Sequence, residues 1–279
     1  MTITAGVDVG TGAIKTVLFE VEGDRTRWLA RRTDRVRQRD PLKLAAQAYD
    51  QALEEAGLGR DDVHYVATTG EGESLEFHTG HFYSMTTHAR GAIYLQPEAR
   101  AVLDVGALHG RAIRVDARGK VLTYKMTSQC ASGSGQFLEN IARYLGVGQD
   151  EIGKLSRQAD NPEKVSGICA VLAETDVINM VSRNISAPNI LKGIHLSMSD
   201  RLAKLLKTIG GIDGTVLMTG GLALDDGLLA AMQETMLREK VAVKVESHPE
   251  SIYAGAIGAA LWGAFRHAKL TRLDALAAA

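Results

Sequence analysis

Two segments of the chain repeat one pattern of apolar strands and small-residue turns. The first, VDVGTGAIKTVLFEVEGD, contains Asp8, and the second, LDVGALHGRAIRVDARGK, contains Asp104. In each, an apolar strand ends in Asp-Val-Gly, a turn follows, and a second strand runs to a glycine, which predicts a β-hairpin. A shift of 96 residues aligns similar positions of the two segments: Asp8 with Asp104, Gly10 with Gly106, Lys15 with Arg111, and Gly23 with Gly119. A duplicated unit explains this agreement better than chance does.

The rest of the pattern alternates between strand and helix periodicity. Further strands are predicted at 25–36, 63–69, 121–126, 215–218 and 241–245. Helices are predicted at 41–56, 86–95, 135–145, 150–159, 168–181, 188–208, from 225 or 226 to 238, and at 251–265. Residues 271–279 are expected to fray or to form a short helix. The mixture predicts two α/β halves that meet near 96–100 and pack closely around a cleft, because no long linker separates them.

Composition narrows the class of protein. The chain has 279 residues, 45% of them apolar, which is ample for a core and excludes general disorder. A net charge of −1 gives no pull toward nucleic acid or an anionic membrane, and the longest uncharged apolar run, 252–265, is too short to span a bilayer. The first residues have no basic region before the apolar ones, so we expect no signal peptide and a cytoplasmic protein. Two cysteines exclude a disulfide-rich secreted scaffold.

The turn DVGTG has the chemistry of a phosphate site. Gly10 and Gly12 let an anion approach the backbone N–H groups, and Thr11 adds a hydroxyl donor. Asp8 stands where a hydrated Mg²⁺ needs a carboxylate, and Lys15 could reach a phosphate. If the two hairpins face each other, Asp8 and Asp104 flank one metal. Taken alone, one such turn is more often an ordinary tight turn.

A third motif, VLMTGG, is an apolar strand that runs into Gly220 and Gly221 just before a predicted helix. A glycine pair there lets a flat ring or a ribose lie against the backbone. The chain has neither a P-loop motif nor a GxGxxG motif after a strand, which argues against those two kinds of nucleotide site.

In this order and spacing, the motifs DVGTGAIKT, DVGALHGRAIRVD and VLMTGGLA resemble the two phosphate motifs and the adenosine motif of the acetate/sugar kinase–Hsp70–actin superfamily. The segments SQCASGSGQFLENIA, GICAVLAETDVINMVSRN and ILKGIHLSMSDRLA resemble one branch of it. This branch contains the benzoyl-CoA reductase ATPase subunits and the 2-hydroxyglutaryl-CoA dehydratase activators. The resemblance runs from residue 3 to about 266, and the cysteine motifs are its specific part.

The resemblance implies an α/β, actin-like and ribonuclease H-like ATPase fold with two similar halves around a nucleotide cleft. The halves are expected at 1–97 and 98–279, the second carrying both cysteines, with helix 251–266 able to pack back on the first. The implied ligands are ATP or ADP with Mg²⁺ on Asp8 and Asp104, which with His109 form the catalytic set. The implied nucleotide-binding residues are Gly10, Thr11, Gly12, Lys15, Gly106, Gly133, Gly135, Gly220 and Gly221.

The resemblance also implies a 4Fe-4S cluster that bridges two subunits. Cys130 and Cys169 each stand at the predicted entry to a helix, where negative charge is favoured. A cysteine taken alone is usually only a small buried apolar residue. Cluster ligation takes four thiolates, and this chain has two, so a site shared with a second chain completes the set.

One motif departs from the family pattern. The glutamine of the second phosphate motif is replaced by Leu108, the aspartate after it by His109, and the lysine by Arg111. Leucine cannot orient a hydrolytic water. Either hydrolysis is slow, or His109 has another role, or hydrolysis belongs mainly to a paired subunit. The divergence favours one of two unequal ATPase subunits of an ATP-dependent benzoyl-CoA reductase, which would work with a homologous ATPase subunit and two subunits that bind benzoyl-CoA.

Other interpretations stay open. A homodimeric activator of a 2-hydroxyacyl-CoA dehydratase is the closest alternative, followed by a sugar kinase and by a non-enzymatic actin-like scaffold. Residues 25–39 include seven arginines, a pattern that is typical of a strand face exposed to solvent. A docking face for an acidic partner is the less favoured interpretation. Ferredoxin, the expected electron donor, would be such a partner.

Overall fold

A computed structural model describes residues 1–127, 135–166 and 170–277. The chain divides into two compact units. The first contains Met1–Pro97, Arg118–Lys120 and Ile252–Ala279, and the second contains Glu98–Ala117 and Val121–Ser251.

The first unit is a five-stranded sheet in the order β3-β2-β1-β4-β5, covered by helices on both faces. Its strands are β1 (Thr2–Val9), β2 (Ala13–Glu22), β3 (Arg25–Arg35), β4 (Tyr65–Gly70) and β5 (Gly80–His81). Its helices are α1 (Pro41–Ala56), α2 (Ser84–Leu95) and α8 (Ala254–Ala277). Alternate β1 side chains such as Ala5 and Val7 pack toward α1, while Gly6 meets α8. Side chains of β1 thus alternate between the two faces of the sheet, and the unit has three layers, with α1 on one face of the sheet and α8 on the other.

Capping fixes the length of α1. Asp40 accepts hydrogen bonds from the N–H groups of Leu42 and Lys43, Pro41 occupies the first turn, and Gly57 ends the helix in the left-handed conformation at φ 67°. The proline and the glycine are the signals that predicted this helix from the sequence.

The second unit is a five-stranded sheet in the order β10-β9-β6-β7-β8. Its strands are β6 (Ala99–Val105), β7 (Gly110–Val115), β8 (Val121–Met126), β9 (Thr215–Thr219) and β10 (Lys244–Glu246). Its helices are α3 (Gly135–Tyr144), α4 (Ile152–Ser156), α5 (Ala170–Ser182), α6 (Ala187–Ile209) and α7 (Asp226–Arg238). One apolar core joins the sheet to all five of these helices.

The two sheets have the same topology and the same register. In each, three antiparallel strands are extended by a strand parallel to the first. In the strand register, Asp8 stands opposite Lys15 of β2 and Thr69 of β4. Asp104 likewise stands opposite Arg111 of β7 and Thr219 of β9. The α/β fold with two similar halves, predicted from the repeated hairpins, is thus confirmed.

Several predicted boundaries differ. Of the tail 271–279, which was expected to fray or to form a short helix, residues 271–277 are helical, because α8 continues through a Leu- and Ala-rich sequence to Ala277. α8 packs on β1 and α2, and the first unit includes Ile252–Ala279. α4 is only five residues long, because after Ser156 the backbone tightens into three-residue turns in which the Gln158 and Ala159 N–H groups donate to Leu155 O and Ser156 O. Among the described residues, no helix is both long and apolar enough to cross a membrane.

Candidate functional site

The first hairpin holds an acid–base pair at the end of β1. Asp8 and Lys15 are both buried, and Lys15 Nζ lies 3.8 Å from Asp8 Oδ2. The turn between them is closed by the Gly10 N–H, which donates to Ala13 O at 3.1 Å, while Thr11 and Gly12 are exposed. A Cβ at position 10 would stand 2.9 Å from Ala13 O and 3.3 Å from Lys15 Nζ. Glycine is therefore required at position 10, and the exposed turn is shaped for an anion.

Two glycines leave room around the Asp8 carboxylate. Gly70 ends β4 at φ +68°, and a Cβ there would meet Val9 O at 2.3 Å and Asp8 Oδ1 at 3.2 Å. Gly255, in the first turn of α8, would place a Cβ 2.7 Å from Asp8 Oδ2 and 2.9 Å from Nε2 of the buried His88. The positive end of α8 thus lies against the carboxylate and stabilises its charge. Neither Gly255 nor His88 was predicted, since both are distant from the motif along the chain.

The second hairpin repeats the turn with a tighter ion pair. The Gly106 N–H donates to His109 O at 2.9 Å, the equivalent of the Gly10–Ala13 bond. Arg111 donates from Nε to Oδ2 of the buried Asp104 at 2.8 Å, and its Nη2 forms an ion pair with the same oxygen at 2.5 Å. Leu108 is 46% exposed at the tip of the turn. Arginine at position 111 therefore neutralises Asp104 more completely than Lys15 neutralises Asp8.

The remaining described nucleotide-binding candidates of the second unit come together beside this hairpin. Gly220 follows the last residue of β9 at φ +86°, and a Cβ there would lie 2.4 Å from Asp104 Oδ1. A Cβ at Gly221 would meet no atom within 4 Å. The first turn of α3 is attached to the hairpin, because the Gly135 N–H donates to Gly106 O at 3.0 Å. The Gln136 N–H likewise donates to Ala107 O at 2.8 Å, so the start of α3 is tied to the hairpin, and the open backbone at Gly221 is the part of this group that suits a flat ring.

Comparison with known proteins gives the family of the chain. The model of the BadF/BadG/BcrA/BcrD ATPase family matches residues 5–263. The chain belongs to this family. It is 78% identical to one of the benzoyl-CoA reductase subunits of Thauera aromatica over 273 residues, which cover 98% of this chain and 97% of that protein. It is 34% identical to an activator of lactoyl-CoA dehydratase from Anaerotignum propionicum over 260 residues, which cover 93% of this chain and 96% of that protein.

Solved structures of family relatives agree with the fold. The component A structure of the Acidaminococcus fermentans (R)-2-hydroxyglutaryl-CoA dehydratase matches with a TM-score of 0.87 and 28% identity, covering 96% of this chain and 100% of that one. The activator of the 2-hydroxyisocaproyl-CoA dehydratase from Clostridium difficile, solved with bound ADPNP, matches with a TM-score of 0.85 and 27% identity, covering 97% of both chains. The resemblance seen in the motifs is therefore confirmed for the whole ATPase fold.

Three predicted site residues of this BadF/BadG/BcrA/BcrD family member lie outside the described residues: Cys130, Cys169 and Gly133. The described elements that follow them are α3, which begins at Gly135, and α5, which begins at Ala170, the residue next to Cys169 in the sequence.

The arginine-rich strand of this ATPase, β3, is the edge of its sheet. Arg27 pairs with Glu20, and Arg32 pairs with Glu55 and, at 3.4 Å, with Asp34. Arg31 lies over the Trp28 ring at 5.4 Å. These contacts are all within the first unit, as a solvated face requires.

A buried Ser–His–Asp cluster was not predicted from the sequence. Nδ1 of His195 lies 2.8 Å from Ser156 Oγ, and its Nε2 lies 3.3 Å from Asp225 Oδ2. Burial would raise the pKa of Asp225, but the hydrogen bond and charge of His195 and the N–H groups of Leu228 and Gly227 outweigh it and hold the pKa below its ordinary value. Ser156 and His195 are buried, so no substrate reaches them, and the cluster holds α4, α6 and α7 together.

Proposed function

We propose that the chain binds and hydrolyses ATP as one subunit of an ATP-dependent benzoyl-CoA reductase. In that role it couples ATP to low-potential electron transfer, from a 4Fe-4S cluster shared with a related subunit to the ring-reducing subunits. The observation that carries the proposal is the 78% identity to the Thauera aromatica benzoyl-CoA reductase protein over 98% of this chain. The activators of hydroxyacyl-CoA dehydratases are much more distant, at 34% identity or less.

The proposed nucleotide-binding residues lie in turns. In the exposed turn at Gly10, Thr11 and Gly12, the N–H groups of Thr11 and Gly12 and the Thr11 hydroxyl face phosphate oxygens in this proposal, and Lys15 adds a positive charge. The N–H groups of Gly106 and Gly135 already bind carbonyl oxygens, so these two glycines contribute close access to the backbone, while the turn at Gly220 and Gly221 leaves space for the ring or the ribose. An ADPNP-bound relative of the same fold supports nucleotide binding here.

The donor set around Asp8 fits Mg²⁺ better than the set around Asp104. Carboxylate oxygens are the protein ligands that Mg²⁺ prefers, and Asp8 is opposed only at 3.8 Å by Lys15. Asp104 accepts a hydrogen bond from Arg111 Nε and is in ion-pair contact with Arg111 Nη2 on the same oxygen, which leaves it less charge for a metal. We therefore assign Asp8 as the main protein ligand and Asp104 as a secondary one. Bound Mg²⁺ would neutralise phosphate charge.

The chemistry of the two cysteines fits half of a cluster site. Thiolates are the ligands of 4Fe-4S clusters, and two such chains, or this chain and a homologous subunit, bring the four that are needed. α5 begins at the residue after Cys169, so a helix N-terminus is available to stabilise thiolate charge. Cys130 and Cys169 would hold the cluster, which supplies one-electron transfer when bound.

Hydrolysis must use a residue other than Leu108. This side chain has no polar atom and lies at the exposed tip of the turn, so it cannot orient a water. His109 stands next to it, and its carbonyl is already used to close the turn. We propose slow hydrolysis by this chain alone, either through His109 or with the paired subunit providing the faster site.

The proposed setting is cytoplasmic, with ferredoxin as the electron donor. The partners are a homologous ATPase subunit that shares the cluster and two subunits that bind benzoyl-CoA and reduce the ring. The aromatic chemistry therefore takes place on other chains.

Anaerobic purification of the chain, alone and together with the other subunits, tests this proposal. We expect about four iron atoms per pair of unequal ATPase subunits, with benzoyl-CoA reduction that requires ATP. Cys130→Ala and Cys169→Ala should each remove the visible absorbance of the cluster. Iron bound by a stable homodimer of this chain alone, together with activation of a 2-hydroxyacyl-CoA dehydratase, would instead support the activator. Phosphorylation of a sugar by iron-free protein would support a kinase.

A further inference from the structure

The second half of α8 is an exposed helix, which we call the C-terminal arm, residues 265–277. The first half of α8 is embedded in the first unit, where a Cβ at Gly258 would lie 1.8 Å from Thr87 O. From Phe265 onward every residue of the arm is exposed except His267, which is half-buried against His64. The arm thus continues the helix beyond the part that packs on the sheet.

The arm carries an apolar stripe. At 100° per residue, four large apolar side chains fall within about 140° of one another on the helix surface. They are Phe265 (61% exposed), Leu270 (48%), Leu273 (51%) and Leu276 (65%). Burial of each would contribute roughly 1.5–3 kcal/mol, and a helix of about this length is marginal in water without packing. The stripe is therefore suited to a groove on another surface.

The arm lies outside the segment that the family model matches. That match covers residues 5–263, so it ends two residues before the arm begins. A segment outside the matched region is a candidate for contacts that are specific to this subunit.

The charges on the arm indicate what kind of surface it fits. Lys269 and Arg272 project beside the apolar residues, and Asp274 is the one acidic residue of the arm. Lys269 stands between Leu273 and Leu276 on the helical wheel, inside the stripe. A helix that lies on a membrane keeps such charges on the face opposite its apolar residues. A protein groove with carboxylates along its rim matches this mixed face better.

We propose that the C-terminal arm docks, as a helix, into an apolar groove with an acidic rim on another subunit of the reductase assembly. This inference rests on the proposed function, because it names a contact within the same complex. The recognition is of the helix-in-groove kind, with Phe265, Leu270, Leu273 and Leu276 as the buried anchors and Lys269 and Arg272 paired with acidic residues.

Two double variants with the same change in charge test the proposal. Leu270→Glu with Leu273→Glu alters the apolar stripe, whereas Thr271→Glu with Ala275→Glu alters the opposite face of the arm. Each chain, with an affinity tag at its N-terminus, is produced anaerobically with the other subunits, and the retained subunits are quantified. ADP binding to each isolated chain is measured by calorimetry. We expect the leucine variant to retain at least about tenfold less partner and the matched control to stay within about twofold, with ADP affinity unchanged in both.

A charge reversal provides an independent readout. Lys269→Glu with Arg272→Glu should also reduce the retained partner, and raising the salt concentration should weaken the assembly of the unaltered chain but not that of the reversed one. A loss that does not depend on salt would contradict the acidic rim.

The other outcomes are decisive as well. Equal retention by the leucine variant and its control would overturn the proposal. It is also overturned if the leucine variant loses ADP binding, which makes the arm part of the chain's own fold. Dissociation of an isolated homodimer would assign the stripe to a second copy, and binding to phosphatidylglycerol vesicles would assign it to a membrane. If the unaltered chain binds ADP but retains no other subunit, the proposed function fails, and this inference fails with it.

Discussion

Arg111 donates a hydrogen bond from Nε to Oδ2 of Asp104 at 2.8 Å, and its Nη2 forms an ion pair with the same oxygen at 2.5 Å; both side chains are largely buried. The equivalent pair in the other unit, Lys15 and Asp8, is 3.8 Å apart. The same register of the same hairpin therefore carries a closed ion pair in one copy and a looser pair in the other.

Removal of Arg111 should destabilise the second unit. Arg111→Ala removes the Arg111 side of a buried ion pair with Asp104, and the loss of one side of such a pair costs about 3–5 kcal/mol. The double variant Arg111→Ala with Asp104→Asn should recover most of this loss, because the buried carboxylate charge is gone as well. Urea denaturation measures the free energy of unfolding. Arg143→Ala is the control, since its pair with Glu139 is exposed and worth less than about 1 kcal/mol. A cost equal to that of the control would contradict a buried ion pair.

Gly220 and Gly221 should respond differently to the same substitution. Gly220→Ala adds a methyl group 2.4 Å from Asp104 Oδ1 on backbone at φ +86°, so we expect it to lower the free energy of unfolding by about 2 kcal/mol or more. Gly221→Ala adds a methyl group to open space and should leave stability unchanged within about 0.5 kcal/mol.

Nucleotide affinity should distinguish a role of Gly221 in nucleotide binding from the role of Gly220 in stability. If the ring or the ribose lies on Gly221, then Gly221→Ala should weaken ADP binding in calorimetry without a change in stability. Unchanged ADP affinity in this variant would remove Gly221 from the nucleotide site.

Asp8→Asn should weaken the binding of ATP only where Mg²⁺ is present. The substitution keeps the shape of the side chain but removes the charge that a metal needs. We expect at least about a tenfold loss of affinity, or about 1.4 kcal/mol, in Mg²⁺, and a much smaller loss in EDTA. The exposed Asp61→Asn, in the same unit, is the control. Equal losses with and without Mg²⁺ would mean that Asp8 acts on the turn and not on the metal.

Tyr49 should make the first unit sensitive to high pH. Its ring stacks on Phe77 at 4.9 Å, and its buried hydroxyl has no hydrogen-bond partner among the described residues. Burial raises the pKa of Tyr49 to about 12. The folded state therefore favours the neutral phenol, and this contribution to stability is present below the unfolded pKa, near about 10, and is lost as the pH rises toward about 12.

Tyr49→Phe tests this pH dependence. The variant should equal or exceed the unaltered chain in stability by up to about 1 kcal/mol at pH 7, and its advantage should grow above about pH 10. Urea denaturation at both pH values measures the difference, and Tyr124→Phe, at an exposed position, is the control. An advantage that does not grow with pH would contradict the unpaired hydroxyl.

The sequence predicted those helices and strands whose ends are set by residues close to them along the chain. Both hairpins follow from alternating apolar residues and glycine turns, and α1 follows from Pro41 and Gly57 at its ends. The strand β5 is only two residues long and has no periodicity that a sequence could display. The extension of α8 to Ala277 was underestimated because the exposed tail has no clear end signal and few packing contacts to indicate it.

The candidate site was predictable in its motifs but not in its surroundings. The alignment of Lys15 with Arg111 located both ion pairs, yet the difference in their distances depends on side-chain conformation. Gly255 and His88 approach Asp8 from two helices, and the cluster of Ser156, His195 and Asp225 joins three more. Contacts between segments so far apart along the chain leave no periodic signal.

The placement of α8 has a mechanical consequence. The first turn of α8 lies against Asp8, and close packing at Gly255 and Gly258 leaves the helix little room to move along its axis. The helix ends at Ala277. A helix of 24 residues is about 36 Å long. Its first half is held by packing within the first unit, and only residues 265–277, about 20 Å of helix, project beyond it. A tilt of about 10° at the point where these residues leave the unit would displace the end of the helix by about 3 Å. A chain bound to the C-terminal arm would be displaced with it.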